Sequence, residues 1–162
     1  MSNNENEFLL KAIITRYEQK VFSFVLLLVG GNQNQAYQVT VSSFAETILK
    51  KAPSHNDAHF FPRVLSCAIP KAKQAAKPLD LTPSSIFETS PEKQRAELWL
   101  RKALNNVSFE DKVRLLLRDQ LHLLYKDIGT ILKASESEAK KQTLEAREKL
   151  REKLQEVVDK ES

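Results

Sequence analysis

The amino-acid sequence predicts an all-α fold: two small helical domains joined by a Pro-containing linker, the C-terminal one a helix-turn-helix. Three observations carry this. Apolar residues recur at steps of three and four in both halves of the chain, the spacing that lines one face of a helix. Glycine occurs only three times in 162 residues, too few for the positive-φ turns that a β fold of this length needs. Four of the six prolines, Pro70, Pro78, Pro83 and Pro91, fall within residues 70–91, and helical patterns resume cleanly after them. The expected domains are therefore 1–70 and 92–162, with 71–91 as the linker.

The elements follow in order. Residues 7–29 place Phe8, Leu9, Ile13, Ile14, Tyr17, Val21, Phe22, Val25 and Leu28 at helical spacing, and Gly30-Gly31-Asn32 ends that helix in a turn. A second helix over 35–51 gathers Ala36, Val39, Ser43, Phe44 and Ile48 on one side, although the β-branched run Val39-Thr40-Val41 also suits a strand. Pro53 to Asp57 reads as a polar loop. A third helix, 58–69, is expected to stop at Pro70, which lacks the N–H a continuing helix requires. In the C-terminal half, 92–104 carries Leu98, Trp99 and Ala103 on one face. Ser108 to Asp111 has the form of a capping box that starts a helix over 109–123. A short helix spans Tyr125 to Lys133. Ser135 to Glu138 is a second capping box, opening a long helix to about residue 158. A short helix, a tight break and a longer basic helix form the outline of a helix-turn-helix. Tyr125, Ile128, Ile131, Leu132, Ala139 and Leu150 should lock its two helices together, with Trp99 packed beneath.

Composition narrows the function. The longest apolar run, Phe24 to Val29, is far shorter than the roughly 20 residues of a spanning helix, so no membrane partner is expected. The opening MSNNENEF is polar and acidic, unlike a secretory signal, and a single Cys67 allows no internal disulfide, so a cytoplasmic location is expected. The formal charge of +4 permits a nucleic-acid partner without demanding one. His55 and His59 share a metal-ligand spacing, but with only Asp57 nearby they read as solvated loop residues. Neither a phosphate-binding glycine loop nor a Gly-flanked nucleophile is present. No enzyme activity and no cofactor or metal is therefore expected.

The C-terminal residues resemble a known family, the two-domain sigma factors of bacterial RNA polymerase of the extracytoplasmic-function (ECF) type. Their last domain follows the pattern A-L-x-x-L-P-x-x-x-R, then L-x-L-R-D, then S-Y-x-E-I-A-x-I-L-G-I-S-E-G-T-V-K-S-R-L-x-R-A-R-x-x-L. This chain carries Ala103-Leu104, Val107-Ser108, Lys112 and Leu115 to Asp119. It continues from Leu124 through Gln142 and closes with Ala146-Arg147-Glu148-Lys149-Leu150, without a gap. More faintly, Gly31, Ala36, Phe44, Phe61, Leu65 and Ala68 fall where the family's first domain has its G, A and F and its F-x-x-W-L-x-x-I-A. The resemblance implies a protein that binds RNA polymerase core and promoter DNA, with an anti-sigma factor as a further partner. It places polymerase contacts at Tyr37, Gln38, Ser42 and Glu46. It places DNA contacts at Glu138, Lys140, Lys141 and Gln142 for base edges or nearby phosphates, and at Lys133, Ser135 and Arg147 for the backbone.

The sequence departs from the family in informative places. Tyr37, Gln38, Thr40, Val41 and Ser42 stand where the family has E, D, V, Q and E, so the acidic patch is lost. Glu138 replaces T and Ala139 replaces V in the reading helix. Between Tyr125 and Leu154 there are eight basic and six acidic residues, a thin excess for neutralising phosphates. The basic residues of that helix read equally as a solvated face with pairs such as Glu136–Lys140 and Glu145–Lys149. A second reading therefore stands beside the first: a sigma-like module that holds a protein partner without reading promoters. A plain helix-turn-helix repressor is a third, for which the N-terminal half shows no ligand pocket.

Overall fold

The computed structural model describes residues 3–54, 57–81 and 90–161, and every regular element among them is helical. The order is α1 (Asn3–Leu28), α2 (Gln33–Lys50), α3 (Phe60–Gln74), α4 (Pro91–Leu104), α5 (Phe109–Leu115), α6 (Tyr125–Leu132) and α7 (Glu136–Glu161). A π-helical turn, Leu116–Gln120, continues α5. None of these helices is long and apolar enough to cross a membrane.

Gly30 and Gly31, with φ of 73° and 82°, turn the chain between α1 and α2. Gly30 is required twice over: a Cβ there would lie 2.5 Å from the Pro78 carbonyl oxygen, which crosses the turn. Asn32 then caps α2, accepting the Gln35 N–H at 3.1 Å. Val39-Thr40-Val41 is helix, not strand. Val39 and Thr40 are buried, and that burial outweighs the weak strand preference of the run. Thr40, Ser43 and Thr47 form a buried row, and each hydroxyl donates to the carbonyl four residues back at 2.6–2.7 Å. The row lets α2 bury this face with none of the three hydroxyls left unpaired.

α3 runs through Pro70 to Gln74 instead of ending at residue 69. Leu65, Ala68 and Ala72 are fully buried on both sides of Pro70, whose ring faces solvent. Apolar burial of this face offsets the lost backbone hydrogen bond. Lys71 to Gln74, expected in the linker, are therefore helical. Pro83 and the rest of 82–89 lie outside the described residues. Ahead of them, Leu79 is buried and pinned by Asn105, whose side chain accepts the Leu79 N–H at 2.7 Å and donates to its carbonyl at 3.1 Å.

The expected single helix 109–123 is interrupted. After the π-helical turn, His122 takes the left-handed conformation (φ 56°) and the chain turns out. Leu121 and Leu123 N–H groups close on the Leu116 and Leu117 carbonyls, and Arg118 donates to the Leu123 carbonyl at 2.8 Å. These bonds satisfy the helix end that a longer helix would otherwise carry. Trp99 also departs from expectation. It does not lie beneath α6 and α7 but bonds Glu161 at the far end of α7, where α4 packs.

One apolar core runs through the molecule. Val21, Phe24, Val25 and Leu28 of α1 meet Phe44 of α2 and Phe60, Val64, Leu65 and Ala68 of α3. Tyr17 stacks on Phe61 with ring centroids 4.8 Å apart. The same cluster continues into Val113, Leu117, Ile128, Ile131 and Ala139 of the C-terminal half. α3 packs on α6, and α1 touches α5 and the π-helical turn.

Candidate nucleic-acid and partner interfaces

The C-terminal site is built on α6, a three-residue turn and the first turns of α7. Lys133 ends α6 in the left-handed conformation (φ 58°), and the Ala134 N–H returns to the Gly129 carbonyl at 2.8 Å. Gly129 makes room for this. A Cβ on it would sit 2.6 Å from the Ala134 carbonyl oxygen. The family pattern carries A at this position; here the turn approaches too closely for one. Ser135 caps α7, accepting the Glu138 N–H at 3.1 Å. Ala139, Thr143 and Ala146 are buried along the inner face of α7, Ala139 in the cluster that holds Ile128 and Ile131.

The structure distributes the DNA candidates unevenly. Lys133, Ser135, Glu138, Lys140 and Lys141 are exposed around the turn and the start of α7, and Gln142 is half-buried. Glu138, Gln142 and Lys133 share a groove of about 420 Å³ with Ile69, Pro70 and Lys73 of α3 and with Phe109, Glu110 and Val113 of α5. Lys73 spans one side of it, pairing with Glu110 at 2.7 Å. The Lys73 ammonium, helped by a backbone N–H, holds the Glu110 carboxyl below its usual range. Arg147 sits apart from this group and is engaged by Asp119 at 2.7 Å, tying α7 to the π-helical turn. Lys149 reaches not Glu145 but the buried Asp111, at 3.5 Å. Asp111 does not complete the expected capping box with its side chain. Ser108 accepts the Asp111 N–H at 3.1 Å, while the carboxylate turns to Arg114 at 2.8 Å.

The four polymerase candidates wrap around α2 instead of forming one patch. Tyr37 is exposed and lines an apolar groove of about 520 Å³ between α1 and α2, with Ile14, Phe22, Val41 and Ile48. The sequence reading missed this groove. Its signal was the exposed apolar pair Tyr37 and Val41, visible only as lost charge. Gln38 and Ser42 face the other way, onto a polar groove shared with Lys71 and Gln74 of α3. Glu46 is occupied by Lys71 at 2.8 Å and Lys50 at 3.1 Å, which lower its carboxyl pKa, Lys71 the more. Of the metal-spaced pair, His59 stands exposed at the start of α3, its N–H bonded to Asp57 at 3.0 Å. Its partner His55 lies outside the described residues. Asp57 is itself paired with Arg63 at 3.0 Å.

Comparison with protein-family models and with curated proteins returns no match to this chain.

Proposed function

We propose that this chain is a divergent sigma-like transcription protein. In this reading the C-terminal half reads promoter DNA through a helix-turn-helix, and the N-terminal half holds RNA polymerase core. The observation that carries it is the α6–α7 unit. A left-handed Lys133, a glycine seated under the turn and a Ser135 cap fix two helices whose apolar faces lock at Ile128, Ile131 and Ala139. That leaves Glu138, Lys141 and Gln142 on the first two turns of α7, the part of such a helix that enters a major groove. Halves 1–70 and 92–162 are read as the family's two units, here packed over a shared core. The protein has no catalysis of its own in this reading and works in the cytoplasm.

Two assays test it. The first is co-purification with RNA polymerase core. The second is fluorescence anisotropy of the full chain on duplexes selected from a random pool, across a salt series. Lys141→Ala should weaken binding to every sequence and lower the salt slope by about one unit. Gln142→Ala should relax preference at one base pair by roughly 1–3 kcal/mol. Absence of both core binding and sequence enrichment sinks the proposal.

A second reading, a sigma-like module that grips a protein partner such as an anti-sigma factor without reading DNA, is favoured by the apolar α1–α2 groove. Among its lining residues, the exposed Tyr37 stands where the family has an acid. In that case Val41→Glu abolishes partner binding while the α7 variants change nothing.

A further inference from the structure

We infer that the two halves are arranged in a self-inhibiting contact: the end of α3 occupies one flank of the α7 reading turns, and duplex DNA binds only when that contact opens. This rests on the DNA-reading function proposed above. A helix seated in a major groove about 12 Å wide has a phosphate strand on each side. On the Glu138 and Gln142 side of α7 that place is taken by Ile69, Pro70 and Lys73, across a groove of only about 420 Å³. A space of that size admits a small molecule, not a duplex strand. Lys140 and Lys141 face solvent outside the groove, so part of the reading surface is open while the rest is covered.

The contact has the character of a latch. Its floor is apolar, with Ile69, Phe109 and Leu132 only partly buried against the core. Its one cross-half ion pair in the groove, Lys73–Glu110, is largely exposed, at 61% and 51%. An exposed pair shifts an equilibrium by no more than about fivefold, so the pair is the weakest part of the contact and the shared apolar core carries most of its strength.

The test uses the full chain and sets two forces against each other. Lys73→Glu breaks the pair and places two carboxylates face to face, which favours opening. It also removes two units of positive charge, which by itself weakens DNA binding. Affinity for a random duplex pool at low salt is measured for the parent, Lys73→Glu and the swapped pair Lys73→Glu/Glu110→Lys. In a Cys67→Ser background, spin labels at Ser66→Cys on α3 and Glu152→Cys on α7 report the distance between halves. Two- to fivefold tighter binding by Lys73→Glu, return to parental affinity in the swapped pair, and a longer label distance on adding DNA establish the latch. If the parent binds DNA with an unchanged label distance and Lys73→Glu binds no better, the occlusion is wrong while DNA reading stands. If neither the parent nor Lys73→Glu binds duplex at low salt, DNA reading fails and the latch with it.

Discussion

Replacing Pro70 by alanine should stabilise the protein. Pro70 is an interior residue of α3, which extends from Phe60 to Gln74. It has no N–H to offer the Ser66 carbonyl, and proline in a helix interior is about 3 kcal/mol less favourable than alanine. Against this, alanine loosens the unfolded chain, which costs about 0.4–1 kcal/mol. The Pro70 ring is exposed, so little packing is lost. The net gain is about 2 kcal/mol, or roughly 4–8 °C in Tm for a chain of this length. Urea denaturation followed by far-UV circular dichroism measures it. Pro62→Ala is the control: Pro62 sits in the first turn of α3, where its N–H would be unpaired anyway, so that variant should gain nothing. A Pro70→Ala midpoint at or below the parent's would show that burial of Leu65, Ala68 and Ala72 does not carry the helix through residue 70.

Three further outcomes follow from the packing. Gly129→Ala, normally a gain inside a helix, should lose about 1–3 kcal/mol because its Cβ meets the Ala134 carbonyl at 2.6 Å; an unchanged urea midpoint would show that the turn yields freely. Glu110 has its pKa lowered in the folded state, by Lys73 first, so its contribution is present above the ordinary glutamate range and disappears as pH falls through the lowered value. The urea midpoints of the parent and Glu110→Gln should accordingly differ at pH 7 and converge on acidification, and a gap that persists in acid would assign the effect to something other than the ion pair. Because one core joins both halves, Trp99 fluorescence and far-UV circular dichroism should report a single coincident thermal transition; two separated transitions would mean that the halves unfold independently.

The helices were legible because amphipathic spacing and local caps are written in consecutive residues. Ser135 and Ser108 each accept the N–H three residues on, as their sequence context suggests. Ala139 faces inward while Glu138 and Lys141 face out, as a 3.6-residue period requires. What escaped the sequence depends on distant partners. Pro70 stays helical because other helices bury its neighbours, which no local rule about proline can foresee. Lys149 stands four residues after Glu145, yet it bonds Asp111, 38 residues away, and Arg147 bonds Asp119, 28 residues away. Trp99 reaches Glu161 across 62 positions. The candidate residues on α7 were nameable from pattern alone. That α3 lies along one side of them was not, because it follows from how two halves dock.

The row of Thr40, Ser43 and Thr47 has a consequence for how this sequence can change. Each hydroxyl is satisfied inside its own helix, so these three positions encode no bond to a neighbouring helix. Small side chains are interchangeable along such a row: alanine or serine in these positions alters volume slightly and strands no polar atom on a neighbouring helix. The fold can therefore drift in sequence along this line while keeping its geometry. The memory of which helix belongs where resides elsewhere, in the bulky ring contacts of Phe44 with Phe60 and of Tyr17 with Phe61.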